Sequence, residues 1–190
     1  MGTTDSNMTD TKLIDVYNSD LANTLGNCFS RVTQMINRYF DGHLPPTGPA
    51  VEAPVDCRLT AKTSTDRWSK AFEQLRLDQA AAAAMDLVRA IDGYIEATGP
   101  FKLAKTPEKK PEVGTILYHC AESLRIASVM LWPLIPGKIE NLWQQIGCES
   151  LTKTLANRGR GDWTDWVKWG QLLPGQPILK GPPLFPRHTD

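Results

Sequence analysis

The stretch "TILYHCAESLRIASVMLW", residues 115–132, decides the fold of this chain. It is apolar on most sides, and a helix without a distinct polar face has to be covered by neighbours all around. Pro133 and Pro136 follow the stretch and end any helix that reaches them. The stretch therefore predicts a central core helix that is surrounded by other helices.

A first helix is predicted near the start of the chain. Apolar residues recur at steps of three and four from Leu21 to Phe40, which is typical of one buried helical face. Gly42 and the run "LPPTGP" then end this helix. Residues 45–63 contain four prolines and show little periodicity, so we interpret them as an extended connection across the surface.

A second, long helix is predicted to follow that connection. Ser64 or Thr65 can cap it, and it ends before Gly99. Inside it, residues 80–84 are all alanine. Alanine favours helix formation and has a small side chain, so we expect another helix to pack closely against this segment. A shorter helix after the core helix is predicted to end at Gly147.

The chain is predicted to form one helical domain with two tails. Residues 1–11 are small and polar, which is typical of a flexible end. Residues 12–160 form the bundle and include a short helical piece at 151–157. Residues 161–190 are too rich in Pro and Gly for a helix. The predicted class is therefore all-α, an antiparallel helix bundle with an extended Pro- and Gly-rich C-terminal tail.

Composition restricts the possible functions. Twenty-one basic residues balance twenty-one acidic ones, so a polyanion would have to be bound by a local patch. No run approaches the roughly 20 apolar residues of a membrane span. The four cysteines are scattered without a CxxC pair, which favours reduced thiols and a cytoplasmic location. The three histidines are isolated, so no metal site is predicted, and we interpret His119 as a core histidine.

The first helix also carries a polar stripe beside its apolar face. Its members step by three or four residues, and they are Asp20, Asn23, Asn27, Arg31, Gln34 and Arg38. Amide and guanidinium groups offer directed donors and acceptors, which suit the edge of a nucleobase or a phosphate. Capping, interhelical and solvent-facing roles would explain the same residues, so composition leaves both interpretations open.

Several motifs in order resemble the anticodon-binding domain of bacterial-type methionyl-tRNA synthetases. "YNSDLANTLGNCFSR", residues 17–31, is similar to the segment that opens that domain. "YFDGHLP" resembles the end of its first helix, and "YIEATGPFKLAK" the loop after its second. "ILYHCAESLRIASVMLWPLIP" resembles the next helix, and "LLPGQPILKGPPLFPR" the closing tail. The resemblance covers the chain from about Leu13 onward.

The resemblance implies a helical bundle of the class Ia aminoacyl-tRNA synthetases that binds the CAU anticodon of methionine tRNA. By position, Asn27 and Arg31 match the family's anticodon-facing Asn and Arg, and Phe101 replaces its stacking Trp. The implied partners are methionine tRNA and the catalytic domain of the same enzyme, with no membrane and no DNA. Any ATP or zinc would belong to that missing catalytic domain. No cofactor, catalytic residue or adenylate-forming activity is therefore expected in this chain, and the tail is expected to pack on the bundle or on the catalytic domain.

Two departures from the family pattern concern this site. Phe101 keeps an aromatic face, and stacking of a base on it is worth on the order of 1–3 kcal/mol, but the indole N–H is lost. Asp92 stands where the family usually has Asn, and its carboxylate would repel RNA unless it points inward to a partner. Possible phosphate contacts are Lys102, Lys105, Lys109 and Lys110. A solvated turn with Glu108 and Glu112 would explain these lysines equally well.

Two alternative functions belong to other classes. The first is a free-standing helical module that docks on a partner protein. The second is an enzyme with its own site in the bundle core, using His119. In the tail, Trp163, Trp166 and Trp169 form an aromatic ridge if helical, which we interpret as packing rather than as a ligand cage. The RNA hypothesis requires that Asn27, Arg31 and Phe101 share one binding pocket.

Overall fold

The computed structural model describes residues 9–158 and 163–187. All regular elements in this part are helical, and the extended residues form an isolated antiparallel bridge between His43 and Pro177. The predicted all-α class is confirmed. The helices are α1 (Asp10–Val16), a π-helical stretch (Tyr17–Gly26), α2 (Asn27–Tyr39), α3 (Cys57–Glu73), α4 (Leu77–Thr98), α5 (Pro100–Leu103), α6 (Lys110–Leu131), α7 (Pro136–Gln145) and α8 (Leu151–Arg158), with 3₁₀ turns at Pro107–Lys109 and Trp163–Asp165.

Helix α6 is the predicted core helix. From Val113 to Leu131 every residue except His119 and Val129 is buried. Helices α2, α3, α4 and α7 pack around it, which accounts for its lack of a polar face. None of the helices in the described ranges is both long and apolar enough to cross a lipid bilayer.

The second predicted helix is in fact two helices. Helix α3 ends at Glu73, and Leu75 adopts a left-handed conformation with φ of +57°. The amides of Leu75 and Arg76 donate to the carbonyls of Phe72 and Ala71, which is the Schellman pattern that ends a helix. Glycine usually occupies this position. Because the residue is a leucine here, the sequence does not indicate that the helix breaks.

The start of α3 also differs from the prediction. Asp56 is the cap, and its carboxylate accepts from the amides of Arg58 and Leu59 at 2.9 and 3.1 Å. Ser64 and Thr65, the predicted caps, lie inside α3 and are buried. The extended connection therefore ends at residue 56 rather than 63.

Helices α3 and α4 fold back on each other and form the most extensive helix pair of the bundle. Ala80, Ala83 and Ala84 of the alanine run are almost fully buried. Their thin side chains allow the close helix approach that the sequence predicts.

The first helix is continuous from Asp10 to Tyr39 but changes its winding. In residues 17–26 the backbone is π-helical, so that the amide of Asn27 still donates to the carbonyl of Ala22, five residues back. Steps of three and four therefore share a face only from Asn27 onward. The predicted flexible end, residues 1–11, is only partly described: residues 1–8 lie outside the described residues, and α1 begins at Asp10 with Thr9 as its cap.

The C-terminal tail crosses the bundle and is hydrogen-bonded along its length. The amides of Leu44 and Ile178 donate to Gln176 and Gly42, which joins the tail to the loop after α2. The Leu179 amide donates to the carbonyl of Gln145 at 2.7 Å. The tail approaches the end of α7 so closely that a Cβ at Gly147 would lie 2.3 Å from the Pro177 carbonyl oxygen.

A buried ion pair on α6 holds the middle of the tail. Arg125 Nη2 lies 2.7 Å from Glu122 Oε1, with 2% and 0% of the two side chains exposed. The Glu122 carboxylate also accepts from the amides of Gly170, Gln171 and Leu172. Arg125 donates to tail carbonyls at residues 166 and 168. Every charge of the pair is therefore satisfied by the tail or by its partner.

The three tail tryptophans pack on the bundle. The ring centroid of Trp163 lies 5.0 Å from that of Trp68 on α3. Trp166 is buried, and Trp169 meets the His119 ring edge-on at 5.6 Å. These contacts agree with the packing interpretation of the aromatic ridge.

Candidate RNA interface

Helices α2 and α4 place Arg31 between two carboxylates. Arg31 Nη2 lies 2.5 Å from Glu96 Oε1, and Nη1 lies 3.8 Å from Asp92 Oδ1. The Arg31 side chain remains 35% exposed. Glu96 was missed in the sequence analysis, although its spacing of four residues from Asp92 puts both acids on one face of α4. The guanidinium is thus oriented at the surface rather than buried.

Asp92 is half-buried and faces Arg31, so its carboxylate has the partner that this departure from the family pattern requires. Burial raises the pKa of the Asp92 carboxyl, and the Arg31 charge and a hydrogen bond with the Cys28 thiol offset part of that rise. Burial likewise raises the pKa of the Cys28 thiol. The carboxylate therefore belongs to the α2–α4 contact.

Asn27 lies one turn before Arg31, where the π-helical stretch gives way to α2. Its side chain is exposed and forms no hydrogen bond to protein groups in the described part of the chain. Such changes of helical winding are frequent at functional sites. The amide is free to bind an external group.

Phe101 is exposed on the short helix α5. Helix α4 ends at Thr98, Gly99 caps it with φ of +55°, and Pro100 begins α5. The Phe101 side chain is exposed, and Lys102 Nζ lies 5.9 Å from its ring centroid. Five surface pockets of the described residues are lined by side chains other than Asn27, Arg31 and Phe101. The shared pocket therefore stays a prediction.

The four lysines after Phe101 have different surroundings. Lys109 Nζ lies 2.6 Å from Glu112 Oε1, as the solvated-turn interpretation requires. Lys110 Nζ lies over the Phe40 ring at 5.4 Å from its centroid. Lys102 and Lys105 are exposed and have no ion pair among the described residues. Within the described ranges, Lys109 is therefore the one lysine of the four that a carboxylate neutralises.

The outer ends of the polar stripe have separate roles. Asp20 lies 4.0 Å from Arg89 on α4, and Asn23 accepts a hydrogen bond of 3.0 Å from Arg187 of the tail. Gln34 and Arg38 line a groove between α2 and the tail. The stripe thus divides at the π-helical stretch, and only its members from Asn27 onward share an exposed face.

His119 is half-buried at the edge of the core rather than inside it, unlike the core histidine that the sequence predicts. Its Nδ1 lies 3.4 Å from the Tyr94 hydroxyl, and burial lowers its pKa from the ordinary value of 6.5. Within the described ranges, no group of three or more His, Cys, Asp or Glu side chains is placed to hold a metal ion.

The fold matches a helix bundle of aminoacyl-tRNA synthetases. The apo structure of Mycobacterium tuberculosis methionyl-tRNA synthetase superimposes with a TM-score of 0.81 at 24% identity, covering 96% of this chain and 35% of that one. A methionyl-adenylate complex of the same enzyme gives 0.78. At 24% identity, this structural similarity establishes the fold alone.

Sequence similarity then defines the family. The methionine–tRNA ligase of Streptomyces coelicolor is 39% identical over 176 residues, which are 90% of this chain and 32% of that protein. The enzyme of Bacillus subtilis is 35% identical, covering 92% of this chain and 25% of its own length. No family model matches the chain. The chain is thus a homologue of a part of the methionine–tRNA ligases, and spans a third or less of these relatives.

Proposed function

We propose that this chain is the tRNA-binding part of a methionine–tRNA ligase and recognises the CAU anticodon of methionine tRNA. The observation that carries the proposal is that the exposed Asn27 and the half-buried Arg31 reach the surface one helical turn apart at the start of α2. The ligase reaction would take place in the cytoplasm on a separate catalytic domain of the same enzyme, which would supply the ATP chemistry.

Each side chain of the pair would form directed hydrogen bonds to an unstacked base. The Asn27 amide offers a donor and an acceptor, which can bind a Watson–Crick edge. Asp92 would orient the Arg31 guanidinium, which could exchange the more exposed Glu96 for a base edge. A wrong base would leave these groups unpaired, which costs about 1–3 kcal/mol for each buried group.

Phe101 would stack on a splayed base beside this pair. Lys102 and Lys105 would attract the neighbouring phosphates, because no carboxylate among the described residues neutralises them. Lys109 is occupied by Glu112 and would contribute least. Recognition would thus combine stacking and base-edge contacts with a small electrostatic contribution.

The test compares two RNAs that differ only in the anticodon. Arg31→Ala and Asn27→Ala are each expected to weaken binding to methionine tRNA by about 1–3 kcal/mol. For the same tRNA with another anticodon, the variants and the original chain should have the same, weaker affinity. The measurement is the Kd from fluorescence anisotropy at fixed salt.

Arg67→Ala is the matched control, because Arg67 is also an exposed arginine paired with a carboxylate of α4, Asp86 at 3.0 Å. It should leave both affinities unchanged. If Arg31→Ala weakens binding of both RNAs equally, Arg31 contacts a phosphate rather than an anticodon base. No loss in either variant would contradict the proposal.

A second candidate function, docking on a protein partner, is favoured by α1. No residue of α1 is buried, and Leu13 and Val16 are 55% and 49% exposed. Exposed apolar side chains on an uncovered helix are typical of protein contacts. A pull-down without RNA should retain a stoichiometric partner, such as the catalytic domain, with the original chain and lose it with Leu13→Ser/Val16→Ser. Equal retention would remove α1 as the docking element.

A further inference from the structure

A polar groove of about 530 Å³ lies between α2 and the tail. One wall is formed by Ser30, Gln34 and Arg38 of α2. The other wall is the tail segment from Lys180 to Leu184, and Gln145 of α7 closes one side. The groove is therefore built by elements that are distant in the sequence.

The tail wall is held in place at both ends. Asn37 Nδ2 donates to the Ile178 carbonyl at 3.2 Å, and the Leu179 amide donates to the Gln145 carbonyl at 2.7 Å. At the other end, Leu184 is buried in the core. Two prolines between these anchors restrict the backbone to an extended form. The groove is thus present before any ligand binds.

All charged side chains that line the groove are positive. Arg38 and Lys180 both line it, and its lining includes no Asp or Glu. Neither cation has an ion pair in the part of the chain that the structure describes. Arg31, Arg67 and Arg89, by contrast, each face a carboxylate of another helix. The groove is therefore suited to an anionic group. Gln34 Nε2 donates to Ser30 Oγ at 3.1 Å, so that the Gln34 side-chain oxygen can accept from a hydroxyl of the ligand.

The groove continues the exposed face that carries Asn27 and Arg31. Arg38 lies two turns beyond Arg31 on α2, a rise of about 10 Å at 1.5 Å per residue. Gln34 lies between them and borders the groove. A single strand that reaches Asn27 and Arg31 would therefore extend along α2 into the groove.

We propose that the groove between α2 and residues 180–184 binds a phosphate and ribose of the RNA strand next to the bases that contact Asn27 and Arg31. Arg38 and Lys180 bind the phosphate, and Gln34 hydrogen-bonds the ribose. A groove of about 530 Å³ that is lined by amide and hydroxyl side chains as well as by two cations has more space and more polar groups than a free anion needs, which favours a nucleotide. This inference rests on the proposed function, because it takes the same RNA as the ligand.

The test is the double variant Arg38→Gln/Lys180→Gln of the full chain. Because the contact is to the backbone, it should weaken binding of methionine tRNA and of the anticodon-changed tRNA equally, by about tenfold at low salt. The slope of log Kd against log salt should fall by about 0.7, since the two cations share one phosphate and each neutralised phosphate on a single strand contributes about 0.7. Arg76→Gln/Lys153→Gln is the matched control, because both residues are exposed cations outside the groove. Unchanged thermal unfolding would show that both variants are folded.

The outcomes separate this inference from the proposed function. An unchanged salt slope in the groove variant, with Arg31→Ala still selective for the CAU anticodon, overturns the groove and leaves the function. Equal binding of both tRNAs by the original chain, with a reduced slope in the groove variant, overturns anticodon recognition and supports the groove. Absence of RNA binding overturns both. A last experiment titrates the chain with inorganic phosphate and follows the NMR chemical shifts of the groove residues. If phosphate saturates the groove while the double variant binds tRNA as tightly as the original chain, the groove is a free-anion site and the RNA contact is overturned.

Discussion

Two arginine–glutamate pairs in this chain have similar geometry and different surroundings. Arg125 and Glu122 lie 2.7 Å apart inside the bundle, with 2% and 0% of their side chains exposed. Arg31 and Glu96 lie 2.5 Å apart at the surface, with 35% and 65% exposed. Breaking a buried pair leaves an uncompensated charge, whereas an exposed pair is worth about 0–1 kcal/mol. The buried pair can therefore fix the tail, and the exposed pair can exchange one partner for a ligand.

The largest expected effect is on the buried pair. Glu122→Gln should destabilise the chain by about 3–5 kcal/mol, because Arg125 would keep a buried charge without a counter-ion. The glutamine NH₂ would also replace an oxygen that accepts from the tail, where Glu122 binds three backbone amides. Urea unfolding measures the loss, and limited proteolysis of the tail reports its release. If the free energy of unfolding fell by less than about 1 kcal/mol, the buried pair would stabilise the chain no more than the exposed pair does.

A smaller effect is expected at the exposed pair. Glu96→Gln should change the free energy of unfolding by less than about 1 kcal/mol, because both partners remain hydrated. It should nevertheless raise the affinity for RNA several-fold, since Arg31 would lose the competing carboxylate at 2.5 Å. Glu73→Gln, at the exposed end of α3, is the control for the removal of one negative charge. Equal gains in both variants would attribute the effect to net charge rather than to Arg31.

The smallest effect concerns the pH dependence contributed by Asp92. Its folded-state pKa is raised, chiefly by burial, so the folded chain holds this proton more tightly than the unfolded chain does. Its contribution to stability therefore decreases as the pH rises from 3.8 through the raised folded value. Asp92→Asn, which restores the residue expected from the family motif, should raise stability slightly at pH 7. The gain should vanish at low pH in urea unfolding at several pH values.

A gain for Asp92→Asn that is independent of pH would contradict this assignment. The same series on Glu96→Gln provides the comparison, because Glu96 is the more exposed carboxylate of the two that face Arg31. The two variants thus separate the effect of burial from that of pairing with Arg31.

Local pattern was sufficient for several elements of the fold. Helix α6 was predictable because an apolar surface on all sides has only one stable position, the centre of the bundle. The break at Leu75 was not, because a leucine occupies the left-handed position that glycine normally marks. The π-helical winding of residues 17–26 left no mark in the spacing of apolar residues either. It nevertheless separates Asn23 from the face that carries Asn27.

The candidate site was predictable in its residues more than in its arrangement. Asn27 and Arg31 follow from helical spacing and from the resemblance of their motif. Their acidic neighbours depend on the crossing of α2 and α4, and the groove beside Arg38 depends on where the tail returns. Neither relation is local in the chain.

The amino-acid sequence by itself determined the helical class, the core helix and the motifs shared with methionine–tRNA ligases, because these depend on residue type and on spacing within one element. Only the tertiary structure decided which arginine faces a carboxylate and which faces an acid-free groove. Arg31 and Arg38 share one helix, but their electrostatic environments come from α4 and the tail. Charge interactions act through space over a few ångströms, so they are set by packing between distant segments.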